Sequence, residues 1–302
     1  MTHRAMIRPL PIPRAALSGA AILLLAAASL RAAIPTQLVL QTGRYIPIAA
    51  VALQGDKFVV STATPDFIVG SEIPLATVDH VFGDKPVEIN QAIALLLAGE
   101  PNDALRLLEP LLLQHKDTAK LPGNFWVESA RAAVVANSIY RKAPASEALV
   151  KAISDASPAQ GRDPIGELSA ALLLPEATKI AERIDLLATL ATDTQPADLC
   201  AYASYFRGEW LKKAKREPEA LLAYLSVSCL YPSGGMVISG AAQFKAAEIL
   251  AAMGRSEEAL ALVTAALRGI KGTTLVAPAT QLLQSLKKVS ITPPAPEIQT
   301  RL

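Results

Sequence analysis

The chain has 302 residues, a formal net charge of +2, and 51% apolar but only 5% aromatic residues. A charge this close to zero leaves no basic footprint for duplex nucleic acid, and so few aromatics leave no stacking platform for single strands. Alanine and leucine carry the apolar count, which favours packed helices over a large β-sandwich because these side chains lose little on entering a helix.

The first segment, MTHRAMIRPLPIPRAALSGAAILLLAAASLRAA (1–33), places Arg4, Arg8 and Arg14 ahead of an uncharged run over 15–30. A basic flank, a short apolar run and the small-x-small pair Ala26 and Ala28 predict an export signal cleaved after Ala28. The run falls short of the roughly 20 residues of a spanning helix. The alternative is an uncleaved anchor with Arg31 stopping transfer, and only then is membrane contact expected. No cysteine lies near, which excludes a bacterial lipid anchor. Four of the 29 basic residues and none of the 27 acidic ones lie in 1–33, so the remainder carries 25 against 27 and is slightly acidic. Export predicts a periplasmic place in a bacterial envelope.

Residues 34–84 read as a small β-rich unit. LVLQ (38–41) meets a turn at Thr42-Gly43, IPIAAVAL (46–53) ends at the hairpin signal Gly55-Asp56, and KFVVS (57–61) follows. Phe67-Ile68-Val69 and IPLATVDHVF (73–82) complete four or five short strands. A unit this small has little core of its own, so a barrel-like or curled sheet resting on the next domain is expected.

From 85 to 290 the apolar period is helical. Helices are predicted over 87–98, 101–115, 124–141, 144–156, 165–173, 175–191, 196–214, 217–230, 236–253, 256–268 and 273–288. Gly99, Gly254 and Gly272 stand where left-handed C-caps are needed, and Pro101, Pro144 and Pro218 at first-turn positions. Pro110 either kinks or shortens its helix. SDASPAQGRDPIG (154–166) reads as a surface loop, and the proline-rich end, 291–302, as a flexible tail.

A helix–turn–helix frame recurs. Gly208, Ala220, Tyr224 and Pro232 stand at spacings of 12, 4 and 8. Ala247, Gly254 and Ala259 keep the relation, as do Ala92, Gly99 and Ala104, and Ala136, Ala143 and Ala148. Small residues at these places let antiparallel helices approach closely. The frame resembles the tetratricopeptide repeat, best in AYASYFRGEWLKKAKREPEALLAYLSVSCLYP (201–232) and next in GAAQFKAAEILAAMGRSEEALALVTAAL (240–267). The copies depart from the family's uniform period: Ala104, Ala148, Ala220 and Ala259 are 44, 72 and 39 apart. The resemblance implies a mainly α fold, an irregular tetratricopeptide-like α-solenoid; the alternative is an ordinary bundle of helical hairpins. It also implies that the first helix of each pair lines a groove. On the matching frame the groove residues are Asn137, Tyr140, Tyr202, Tyr205, Glu209, Phe244 and Glu248, whose aromatics either anchor a partner or pack on the next helix.

Residue types for catalysis are sparse. His80 and His115 stand apart, no HExxH, GxSxG or GxGxxG occurs, and RGIKGTT (268–274) lacks the order of a P-loop. No metal, cofactor or enzymatic activity is expected. Lys212, Lys213, Lys215 and Arg216 end a helix on the favourable side of its dipole, or form a patch for an acidic partner. Cys200 opens one helix and Cys229 closes its mate, which leaves two readings: a disulfide closing a loop of about 30 residues, worth roughly 3–4 kcal/mol, or two buried thiols. The leading expectation is an exported, non-enzymatic scaffold that binds a protein or peptide in the groove; the alternative is a self-associating structural component of the cell envelope.

Overall fold

The computed structural model describes residues 34–156, 163–175, 178–192 and 195–291. The expected export signal (1–33) and the tail from 292 lie outside the described residues. The chain is mainly helical, with a small β region near its start.

Six strands form the β region: β1 (Gln37–Leu40), β2 (Tyr45–Pro47), β3 (Val51–Gln54), β4 (Lys57–Val60), β5 (Glu72–Pro74) and β6 (Val78–Phe82). They pair antiparallel in two three-stranded sheets, β2-β1-β6 and β3-β4-β5. Leu38 faces Ile46 on one side and Val81 on the other, and all three are buried. Phe58 faces Ile73 in the second sheet, and both join the same core as Leu38.

The two expected long strands, 46–53 and 73–82, are each broken by a corner. Pro47 and Pro74 hold φ at −59° and −57°, and the next three residues, Ile48–Ala50 and Leu75–Thr77, close 3-10 turns. The segments are near copies, Ile46-Pro47-Ile48-Ala49-Ala50-Val51 and Ile73-Pro74-Leu75-Ala76-Thr77-Val78. The head is therefore a duplicated unit of hairpin, corner and third strand. At each corner the third strand leaves its own hairpin and pairs with the other copy, β3 with β4 and β6 with β1. Phe67 stands in a single bridge with Thr64 rather than a strand, and packs under the Arg44 guanidinium, 4.8 Å from its ring centre.

Eleven helices follow among the described residues: α1 (Val87–Leu97), α2 (Pro101–Gln114), α3 (Trp126–Ile139), α4 (Ala143–Ala156), α5 (Ile165–Leu173), α6 (Ile180–Leu190), α7 (Ala197–Lys213), α8 (Glu217–Leu230), α9 (Met236–Ala252), α10 (Ser256–Gly269) and α11 (Val276–Ile291). Pro110 lies within α2 without ending it. The α2–α3 connection holds the head: Leu121 is buried in the β core, the Val81 N–H donates to the Pro122 carbonyl (2.9 Å), and the Leu53 N–H donates to the Asp117 carboxylate (3.2 Å). Gly123 is needed there, at φ +71°, because a Cβ would lie 2.7 Å from the Val81 carbonyl oxygen.

Four hairpins share one turn. Gly99, Arg141, Lys215 and Gly254 all take left-handed φ. Each donates its N–H three residues back, to Leu96, Ser138, Lys212 and Ala251, and the next residue donates five back from its own position, to Leu95, Asn137, Leu211 and Leu250. Five residues on from each turn stand Ala104, Ser146, Ala220 and Ala259, all buried. The second copy therefore runs through Arg141 and Ser146; the expected Ala143 and Ala148 are two residues out of frame, and Ala148 is exposed. Within the pairs, size is complementary. A Cβ on Gly208 would lie 2.7 Å from the Tyr224 ring, whereas in the pairs with Ala247 and Ala92 at the same frame position the residue 16 on is the smaller Val263 or Leu108, both buried. The α5–α6 pair lacks this turn, which accounts for the long gap between the second and third copies.

Consecutive helices pack pairwise along the chain, and the first members of the pairs also meet: α1 touches α3, α3 touches α5, α5 touches α7, and α7 touches α9. In addition α1 packs against α9, so these five helices close into a ring. Toward one end of the ring Arg131 of α3 donates to Asp163, ahead of α5, and to Asp198 in the first turn of α7, each at 2.7 Å. Burial opposes the guanidinium charge, but the two carboxylates outweigh it and raise its pKa.

Candidate functional site

At the other end, the last turns of α1, α3 and α5 meet the start of α6 and the second half of α7. Between them lies a cavity of about 560 Å³. Leu97, Ile139, Leu172, Ile180 and Phe206 supply apolar wall, while Arg141, Arg183, Lys213, Lys245 and Glu209 supply charge. Among the described lining residues, four cations stand with one carboxylate.

The framework of the cavity is hydrogen bonded from beneath. The Tyr205 hydroxyl donates to the Leu97 carbonyl at 2.7 Å, tying α7 to the end of α1. Its ring meets Phe206 and Tyr224 edge-on, at 5.5 and 5.6 Å between centres. Tyr224 in turn donates to Glu209 at 2.7 Å, and Lys245 approaches the same carboxylate at 3.8 Å. Burial, reinforced by Glu209 and Glu248, raises the Tyr205 pKa well above the ordinary phenol value, and the same causes raise that of Tyr224. Both hydroxyls therefore stay protonated and serve as fixed donors.

Further along α7, Trp210 carries two cations, the Arg183 guanidinium 4.6 Å from its ring centre and the Lys213 ammonium at 4.2 Å. Arg183 is buried and also donates to the Leu174 carbonyl at 2.9 Å and to the Pro175 carbonyl. Arg141, at the rim, reaches the Leu174 carbonyl at 3.2 Å. Apolar wall with a charged rim is binding chemistry. Among the described residues no three His, Cys, Asp or Glu side chains gather as metal ligands.

The seven expected groove residues separate into two groups. Asn137, Tyr202, Tyr205 and Phe244 are buried in the helical core. There Asn137 donates to the Ala133 carbonyl and Tyr202 stacks on Phe206. Tyr140, Glu209 and Glu248 remain reachable. Tyr140 caps α3 beside the rim, with the Lys142 ammonium 4.8 Å from its ring centre. Glu209 lines the cavity, and Glu248 faces Lys212 at 3.4 Å and Lys245 at 3.9 Å. Tyr205 and Glu209 are the two that the fold brings into the cavity wall together. Arg183 and Trp210 escaped the sequence reading because 27 positions separate them and no spacing pattern joins them. Lys213 was visible only as part of a basic helix end.

Of the two readings for Cys200 and Cys229, a bridge or two buried thiols, neither holds: no bridge joins them, and only Cys200 is buried. Cys200 is buried at the start of α7, with its sulfur set against the carbonyls of Thr192 (3.2 Å) and Gln195 (3.7 Å). Cys229 is an exposed thiol near the end of α8.

No described helix is long and apolar enough to cross a membrane. Comparisons with protein-family models, curated proteins and solved structures find no match for this chain.

Proposed function

We propose that the protein is an exported, periplasmic, non-enzymatic interaction scaffold built on an irregular tetratricopeptide-like array. The repeated left-handed turn at Gly99, Arg141, Lys215 and Gly254, with a buried small residue five positions on, supports the likeness to that family. The α5–α6 pair interrupts the array, and the contact of α1 with α9 bends it shut.

The observation that carries the function is the collection of reachable charged and aromatic side chains around one end of the helices. Tyr140, Glu209 and Glu248 stand there beside Arg141, Lys213 and Lys245. A protein partner docks across this rim, held by an aromatic anchor and paired charges. Capture from an envelope fraction tests the reading with the variants Tyr140→Ala and Glu248→Lys. Both are expected to lose most of the captured partner while circular dichroism stays unchanged. Full capture by both variants would reject the rim as the docking surface.

A further inference from the structure

The interior of the cavity carries an inference separate from protein docking at its rim. Its volume of about 560 Å³ lies within the range of clefts that hold small organic ligands, roughly 300–1,000 Å³. Because α1 meets α9, the inner helices form a ring and not an open trough. The cavity lies at the helix ends, with the buried Tyr205 and Phe206 in its lining.

The wall is divided by chemistry. Leu97, Ile139, Leu172 and Phe206 offer an apolar surface. Lys213 stands above it, its ammonium over Trp210, and among the described residues no carboxylate pairs with it. Glu209, the one carboxylate among the described lining residues, is already engaged by the Tyr224 hydroxyl and by Lys245. Water alone leaves the apolar wall wet and unfavourable, whereas an apolar body covers it and an anionic head meets the ammonium.

We propose that this cavity binds a small amphipathic carboxylate, with its apolar body on Leu97, Leu172 and Phe206 and its head group beside Lys213. The ammonium meets the Trp210 ring on one side, and its exposed side is open to an anion. A cationic amphiphile would bring like charge to the same place.

Isothermal titration of the full chain tests this, with all probes below their micelle concentrations. Dodecanoate supplies body and head, dodecyltrimethylammonium the same body with opposite charge, and acetate the head alone. The expected result is one saturable dodecanoate site per chain, at least tenfold weaker binding of the cation, and no heat from acetate. Lys213→Glu is expected to weaken dodecanoate at least tenfold. Lys271→Glu, an exposed charge reversal outside the cavity, is expected to leave it unchanged. Thermal melting confirms that both variants are folded, and Lys213→Gln replaces the first should it not be. Equal affinity for both amphiphiles, or undiminished binding by folded Lys213 variants, would overturn the proposal. So would an acidic acetylated Asp-Leu-Glu-Leu peptide that binds where dodecanoate does not. Loss of partner capture by the rim variants has no bearing on these titrations, so each reading fails separately.

Discussion

The β head and the helical region both repeat a short unit, yet they join their copies in opposite ways. In the head each copy donates its third strand to the other, so neither sheet is complete without both copies. In the helical region each hairpin keeps its two helices together and meets its neighbours through side chains. Strand exchange makes the head one cooperative unit despite its small core. Pairwise packing lets the helices absorb a divergent member, α5–α6, without losing the frame on either side.

The largest expected effect comes from breaking the shared core of the head. Phe58 is buried between the sheets. Phe58→Ala should cost about 3–5 kcal/mol, as for other buried phenylalanine truncations. Hydrogen exchange should then show β1 to β6 losing protection together while α7 to α10 keep theirs. Protection kept in β2-β1-β6 alone would show that the copies are independent after all.

The matching test in the helices is local. Gly208→Val places a branched side chain where a Cβ already lies 2.7 Å from Tyr224, and should cost about 1–3 kcal/mol through overpacking. Adding Tyr224→Leu should recover part of that loss in chemical denaturation, because the ring is the obstruction. A double variant no more stable than the single would deny the size pairing of the repeat.

His115 is fully buried at the end of α2, with neither ring nitrogen hydrogen bonded among the described residues and its ring edge-on to Phe125. Burial lowers its pKa below the ordinary 6.5, so the folded protein holds it neutral. The unfolded chain takes up the proton first. This contribution to stability is therefore complete above pH 6.5 and is lost as the pH falls below it. A His115→Leu variant should show a flatter fall in melting temperature from pH 7 to 5 than the parent.

The smallest effect sharpens the turn. Lys215 holds φ +59°, where glycine stands in two of the other copies. Lys215→Gly should stabilise by about 0.5–1 kcal/mol, since a left-handed non-glycine residue costs roughly 1–2 kcal/mol and glycine returns only part as chain entropy. Equilibrium urea unfolding measures it.

Helix positions were legible because alanine, leucine and the turn glycines follow one period through the chain. The second repeat was read two residues late because its turn residue is Arg141, which carries no glycine signal. The corners in the head were written in the doubled Ile-Pro-x-Ala-x-Val segments, but alternation of apolar residues through them imitates a continuous strand. Strand exchange, the plug made by Leu121 and the contact of α1 with α9 join residues far apart in sequence, and local patterns do not encode such pairings. The same holds for the cavity. Tyr205 and Glu209 were reached through the repeat frame, whereas Arg183 and Trp210 come together only when α6 folds against α7.

Site-specific photocrosslinking in the envelope tests the central claim most directly, that the cavity end of the helices is where a partner docks. A photoreactive residue replaces Tyr140, exposed beside the rim, or Leu222, still more exposed, on α8 and outside the cavity lining. The expected result is one discrete heavier product from position 140 and none from position 222. Crosslinking from 222 with none from 140 would contradict the claim.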